Sequence, residues 1–134
     1  MFGEKAFLDL FVPMDILYTL FLELIVIIIE AVFIYFLLEK AAAKAFLSSL
    51  SANFITGILS AIYLVFSVDY SYPFYSKLIL AVIVPLVVNI LVEAAILKLF
   101  YRDKTMRRIL KTSMAMNFAS YIFIIMNIMP LLTP

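Results

Sequence analysis

Three acids and four carboxamides stand inside long apolar stretches of this 134-residue chain: Glu23, Glu30 and Glu93, with Asn53, Asn89, Asn117 and Asn127. An ionised carboxylate in hydrocarbon needs several kcal/mol of compensation, and no Lys or Arg lies at the depth of these acids. The expected form is therefore the neutral acid. Such a carboxyl donates to an amide oxygen and accepts from an amide nitrogen, so a Glu–Asn pair satisfies both partners without a formal charge. Two kinds of chemistry follow. The acids could take up and release protons, or carboxyl, amide and hydroxyl oxygens together could coordinate Na⁺, Ca²⁺ or Mg²⁺.

Composition removes most of the alternatives. The chain has no Cys and no His, which excludes disulfides, thiolate zinc sites, Ser-His-Asp triads, bis-His haem and HExxH centres. With two glycines it has no phosphate-cradling loop, and no cofactor is expected. A hydrophobic fraction of 67%, a charged fraction of 14% and a mean hydropathy of +1.19 are far from those of a soluble domain. A globule this small could not hide so much apolar surface from water. A net charge of +1 gives no reason to expect a nucleic-acid partner.

The elements that must carry these polar groups read as four transmembrane helices, over Ile16–Leu38, Ala45–Ser67, Leu78–Tyr101 and Ile109–Leu132. A helix of that length reaches roughly 35 Å, enough to cross a bilayer with some tilt. The first reads as a retained span, because its apolar run is longer than a signal-peptide core. Lys and Arg fix the expected orientation. Residues 39–44 and 102–108, with the adjoining helix ends, hold Lys40, Lys44, Lys98, Arg102, Lys104, Arg107, Arg108 and Lys111, whereas the N-terminus and the middle loop hold only Lys5 and Lys77. Those two basic loops are expected in the cytoplasm and both termini outside, in a prokaryotic plasma membrane. Asp69 and the rings Tyr70, Tyr72, Phe74 and Tyr75 then form an outer interfacial belt.

The halves resemble each other. Ile27-Ile-Ile-Glu-Ala31 aligns with Ile90-Leu-Val-Glu-Ala94, and Ser49-Leu-Ser-Ala-Asn-Phe-Ile-Thr56 with Ser113-Met-Ala-Met-Asn-Phe-Ala-Ser120. The expectation is an all-α integral membrane domain over 1–134, built as two tandem hairpins, about 16–67 and about 78–132. A pseudo-twofold along the membrane normal would relate them. Glu30 and Asn53 are equally far from the centre of the first charged turn, as Glu93 and Asn117 are from the second. Each pair should meet at one depth, about 12 Å inside the boundary. Asn89 stands one turn from Glu93, Glu23 two turns from Glu30, and Pro85 deprives the Ala81 carbonyl of its helical donor.

Two readings of the pairs stand side by side. In the first, Glu30, Glu93, Asn53, Asn117, Asn89 and Glu23 form a proton- or cation-binding site in a small transporter or channel component. In the second they are helix-packing glue in a non-catalytic structural or accessory subunit. A stripe of Ser49, Asn53, Gly57 and Ala61 would then bring two helices close. Either reading suits a homo-oligomer or a larger membrane complex. Catalysis is not expected, since the loops are too short for a substrate domain. The four methionines of the C-terminal span read as adaptable packing, and Pro130 and Pro134 as its stop.

Overall fold

In a computed structural model, residues 16–67 and 74–132 are described, with side chains over 18–63 and 82–127. They form four α-helices: α1 (Ile16–Leu37), α2 (Ala42–Ser67), α3 (Phe74–Phe100) and α4 (Met106–Leu132). All four are long and apolar enough to cross a membrane. Asp69 and the aromatic side chains of the expected outer belt lie outside the described residues.

Three helices begin earlier than hydropathy alone indicates: at Ala42 rather than Ala45, Phe74 rather than Leu78, and Met106 rather than Ile109. Hydropathy marks where charge stops, and a helix begins where its first turn is capped. Before α4, the Thr105 hydroxyl accepts from the Arg108 backbone N–H (3.4 Å) while its carbonyl accepts from Arg108 (3.0 Å) and Ile109 (3.1 Å). The basic residues Arg107 and Arg108 therefore lie within the helix. Pro130 does not end α4, which passes it to reach Leu132, and α3 runs through Pro85; Pro134 lies outside the described residues.

Each helix packs on two neighbours, α1 on α2 and α4, and α3 on α2 and α4, closing a four-membered ring. The two charged turns lie at the same end of this bundle. Arg108 Nε donates to the carbonyl of Leu37 at 2.7 Å, and Lys44 Nζ stands 4.5 Å above the Tyr101 ring. Just inside that end, a fully buried layer joins all four helices: Ile34, Leu38, Ala45, Ala94, Leu97, Tyr101, Ile109 and Met116.

The rest of the distribution is inverted relative to a water-soluble bundle. Phe36, Phe54, Leu99 and Met126 are each at least 65% exposed, while Glu30, Ser49, Glu93, Ser113 and Asn117 are at most 1% exposed. Apolar side chains outside and hydrogen-bonding side chains inside are the arrangement a hydrocarbon solvent favours, because polar groups there find partners only within the protein. The small-residue stripe on α2 is a partial exception to the sequence reading. Ser49 and Asn53 are buried, but Gly57 and Ala61 are exposed, and a Cβ added at Gly57 would meet nothing within 4 Å. Gly57 is thus not a point of close helix approach, because the inward face of α2 passes through Thr56 instead.

Candidate functional site

Within the ring, next to the apolar layer, lies a plane of polar side chains. Glu30 on α1 receives a hydrogen bond from Asn53 Nδ2 on α2, and Glu93 on α3 receives one from Asn117 Nδ2 on α4. Both carboxyls are 1% exposed. The amide orientation is dictated by chemistry. Each amide nitrogen also donates to the carbonyl one turn back on its own helix, Asn53 to Ser49 and Asn117 to Ser113, both at 3.0 Å. A flipped amide would set its oxygen against the Ser49 or Ser113 carbonyl, so the nitrogen takes the side it shares with the carboxyl.

Serines four residues before each Asn tie together the two helices within each hairpin. Ser49 Oγ donates to the Ile27 carbonyl on α1 at 2.9 Å, and Ser113 Oγ to the Ile90 carbonyl on α3 at 2.7 Å. Ser49 Oγ also lies 3.4 Å from Glu30 Oε2.

Hydroxyls three residues after each Asn cross between the hairpins. Thr56 of the first reaches Glu93 Oε1 of the second at 3.5 Å, and Ser120 of the second faces the Glu30 carboxyl of the first. The same two hydroxyls also bond the Asn carbonyls of their own helices, Thr56 to Asn53 at 3.3 Å and Ser120 to Asn117 at 3.1 Å. Ser49, Ser113, Thr56 and Ser120 are the members that attention to acids and amides alone misses. Their signal is present in the sequence, as the Ser before and the Thr or Ser after each Asn-Phe.

The other candidates are placed differently. Asn89 is half-buried one turn from Glu93, with Nδ2 3.4 Å from the Tyr121 hydroxyl. Asn127 bonds the Phe123 carbonyl of its own helix at 2.8 Å and joins neither pair. Glu23 is exposed, and no hydrogen bond connects it to Glu30. It stands on the same stripe of α1 as Ile27, Glu30 and Ile34.

Chemically, the plane offers two buried carboxyls, each accepting from an Asn amide N–H and lying beside a hydroxyl. No group of three or more acids gathers among the described residues. Carboxyls in such surroundings can hold a proton, and carboxyl, amide and hydroxyl oxygens are of the type that coordinates hard cations. Comparison with family models, with curated proteins and with solved structures finds no match to this chain.

Proposed function

We propose that the chain is a small polytopic membrane protein that handles protons, or a small monovalent cation, at Glu30 and Glu93, as a transporter or channel component. The observation that carries this reading is the pair of 1%-exposed carboxyls in one plane, neither of them ion-paired with Lys or Arg among the described residues. An acid is a costly way to join helices in lipid when an amide or hydroxyl would serve, so its presence points to its ability to change protonation. The two hairpins act as tandem repeats about an axis along the membrane normal, with residues 39–44 and 102–108 cytoplasmic and both termini outside. The charge asymmetry and the matched Ser–Asn–Thr/Ser hydrogen bonds support that arrangement. With four helices and little room for alternating access, the working unit is an oligomer or a complex.

The test is flux across liposomes. Glu30→Gln and Glu93→Gln keep the carboxyl shape and an acceptor for the Asn amide, yet cannot release a proton. Both variants should fold and lose pH- or cation-dependent flux. Wild-type flux in both would leave the second reading, a structural or accessory subunit whose pairs only fix helix geometry. One observation favours that alternative: both paired Asn amide nitrogens and the Thr56 and Ser120 hydroxyls also bond backbone carbonyls of their own helices.

A further inference from the structure

The outward stripe of α4 is charged at one end and apolar along the rest. Arg107, Lys111, Met114, Phe118 and Ile122 follow one another at intervals of three or four residues, so they share a face, and all five are exposed. The opposite face of the same helix carries Ile109, Ser113, Met116, Asn117 and Ser120, all buried. The stripe thus opens with two cations one turn apart, about 6 Å along the axis, and continues as an apolar track. Helix α2 has a similar inward pattern in Ser49, Asn53 and Thr56. Its outward stripe of Ala43, Leu47, Leu50, Phe54 and Ile58 is equally exposed and carries no charge.

Neither cation is balanced among the described residues. The acids in the two charged turns, Glu39 and Asp103, are already paired with Lys44 and Lys104, and no ion pair engages Arg107 or Lys111. The neighbouring Arg108 is turned to α1, where it bonds the Leu37 carbonyl. Lys111 leaves the helix between Ile109 and Met116, two members of the buried apolar layer, within the stretch Met106–Asn127 that is apolar enough to cross a membrane. Like charges one turn apart on a helix repel, and a cation on a lipid-facing stripe is costly without an anion beside it. An anion supplied from outside the chain removes both penalties.

We propose that Arg107 and Lys111 bind the phosphate of a phospholipid of net negative charge, whose acyl chain lies along Met114, Phe118 and Ile122. Complementarity at both parts of the stripe selects this occupant. Two cations without an acid call for an anionic headgroup, whereas a zwitterionic one brings its own ammonium against them. The planar guanidinium of Arg107 offers paired N–H donors to phosphate oxygens, and the flexible ammonium of Lys111 snorkels to the same group from one turn deeper. The apolar track then runs about 12 Å from Met114 to Ile122, away from the headgroup end, as an acyl chain does. This site goes beyond the proton-handling reading and does not depend on it.

The experiment is native mass spectrometry of the full chain released from detergent micelles doped with phosphatidylglycerol or phosphatidylcholine, lipids with one phosphate each and different net charge. The native chain should retain phosphatidylglycerol in preference to phosphatidylcholine. Arg107→Gln and Lys111→Gln should each weaken that binding roughly fivefold, and together about 30-fold, the effect of one and of two cations at an anionic headgroup. Lys40→Gln with Arg102→Gln removes two other exposed cations, which stand in the charged turns, and should weaken it about twofold or less through screened attraction. Lys111→Arg keeps the charge and should bind like the native chain. All these positions are exposed, and equal melting in lipid-free detergent checks that the variants fold. Equal retention of the two lipids, equal losses in the two double variants, or equal competition by glycerophosphoglycerol, the headgroup without acyl chains, overturns the site. Glu30→Gln and Glu93→Gln should retain the lipid unchanged, so failure here leaves proton handling in place.

Discussion

A carboxyl next to an amide is a robust unit only while the amide nitrogen is held facing it, and the backbone carbonyls of Ser49 and Ser113 hold it so. Removing the amide and removing the acid should therefore have opposite consequences. Asn53→Leu or Asn117→Leu strips a buried carboxyl of its chief donor and should cost about 1–3 kcal/mol of stability. Glu30→Gln should cost much less, since its carboxamide oxygen still accepts from Asn53. Thermal or denaturant unfolding in detergent measures both, and equal losses would show that the amide is not the anchor. Gly57 gives a contrasting expectation. With open space around a would-be Cβ, Gly57→Ala should stabilise α2 by about 0.5–1 kcal/mol through helix propensity. A destabilised Gly57→Ala would mean that this face is covered in the working assembly.

At the level of single helices, the ends are set by local chemistry at the charged turns. Lys98, in the last turn of α3, donates to the carbonyls of Arg102 (2.8 Å) and Lys104 (2.7 Å), satisfying acceptors where the chain leaves the helix. Thr105 then opens α4, and Thr105→Ala should cost about 0.5–2 kcal/mol and fray the first turn, readable as faster amide exchange at Arg107 and Arg108. In the same turn the Lys104 ammonium, 2.5 Å from Asp103, holds that carboxyl below the usual range. A lowered carboxyl in the folded state contributes stability above the unfolded-state value, and the contribution disappears as pH falls through the folded one. Because Asp103 is exposed, the effect on stability is small, and the sharper measurement is its own titration by NMR. Lys104→Ala should return Asp103 to the ordinary carboxylate range.

For the molecule as a whole, the central question is what joins the hairpins. Two elements do so, the apolar layer and the crossed hydroxyls. Leu97→Ala opens a cavity in a layer that lipid does not fill and should cost about 1–3 kcal/mol. Thr56→Val combined with Glu93→Gln should show a coupling of about 0.5–1 kcal/mol in a double-mutant cycle, and additive losses would deny that the hairpins communicate through this contact. Much of the plan was legible in the residues alone. Long apolar runs require helices wherever backbone groups have no water to bond, and an acid and an amide equally far from a short turn are brought to one height by helical rise. Sequence could not give the closure of the ring, because packing among apolar helices is decided by side-chain shape rather than by hydropathy. Closure is what put Thr56 against Glu93, turned Gly57 outward and left Glu23 exposed on the same stripe of α1 as Glu30. It also brought Asn89 to Tyr121 and Ser48 to Tyr101, since contacts between distant stretches of the chain depend on how the helices pack.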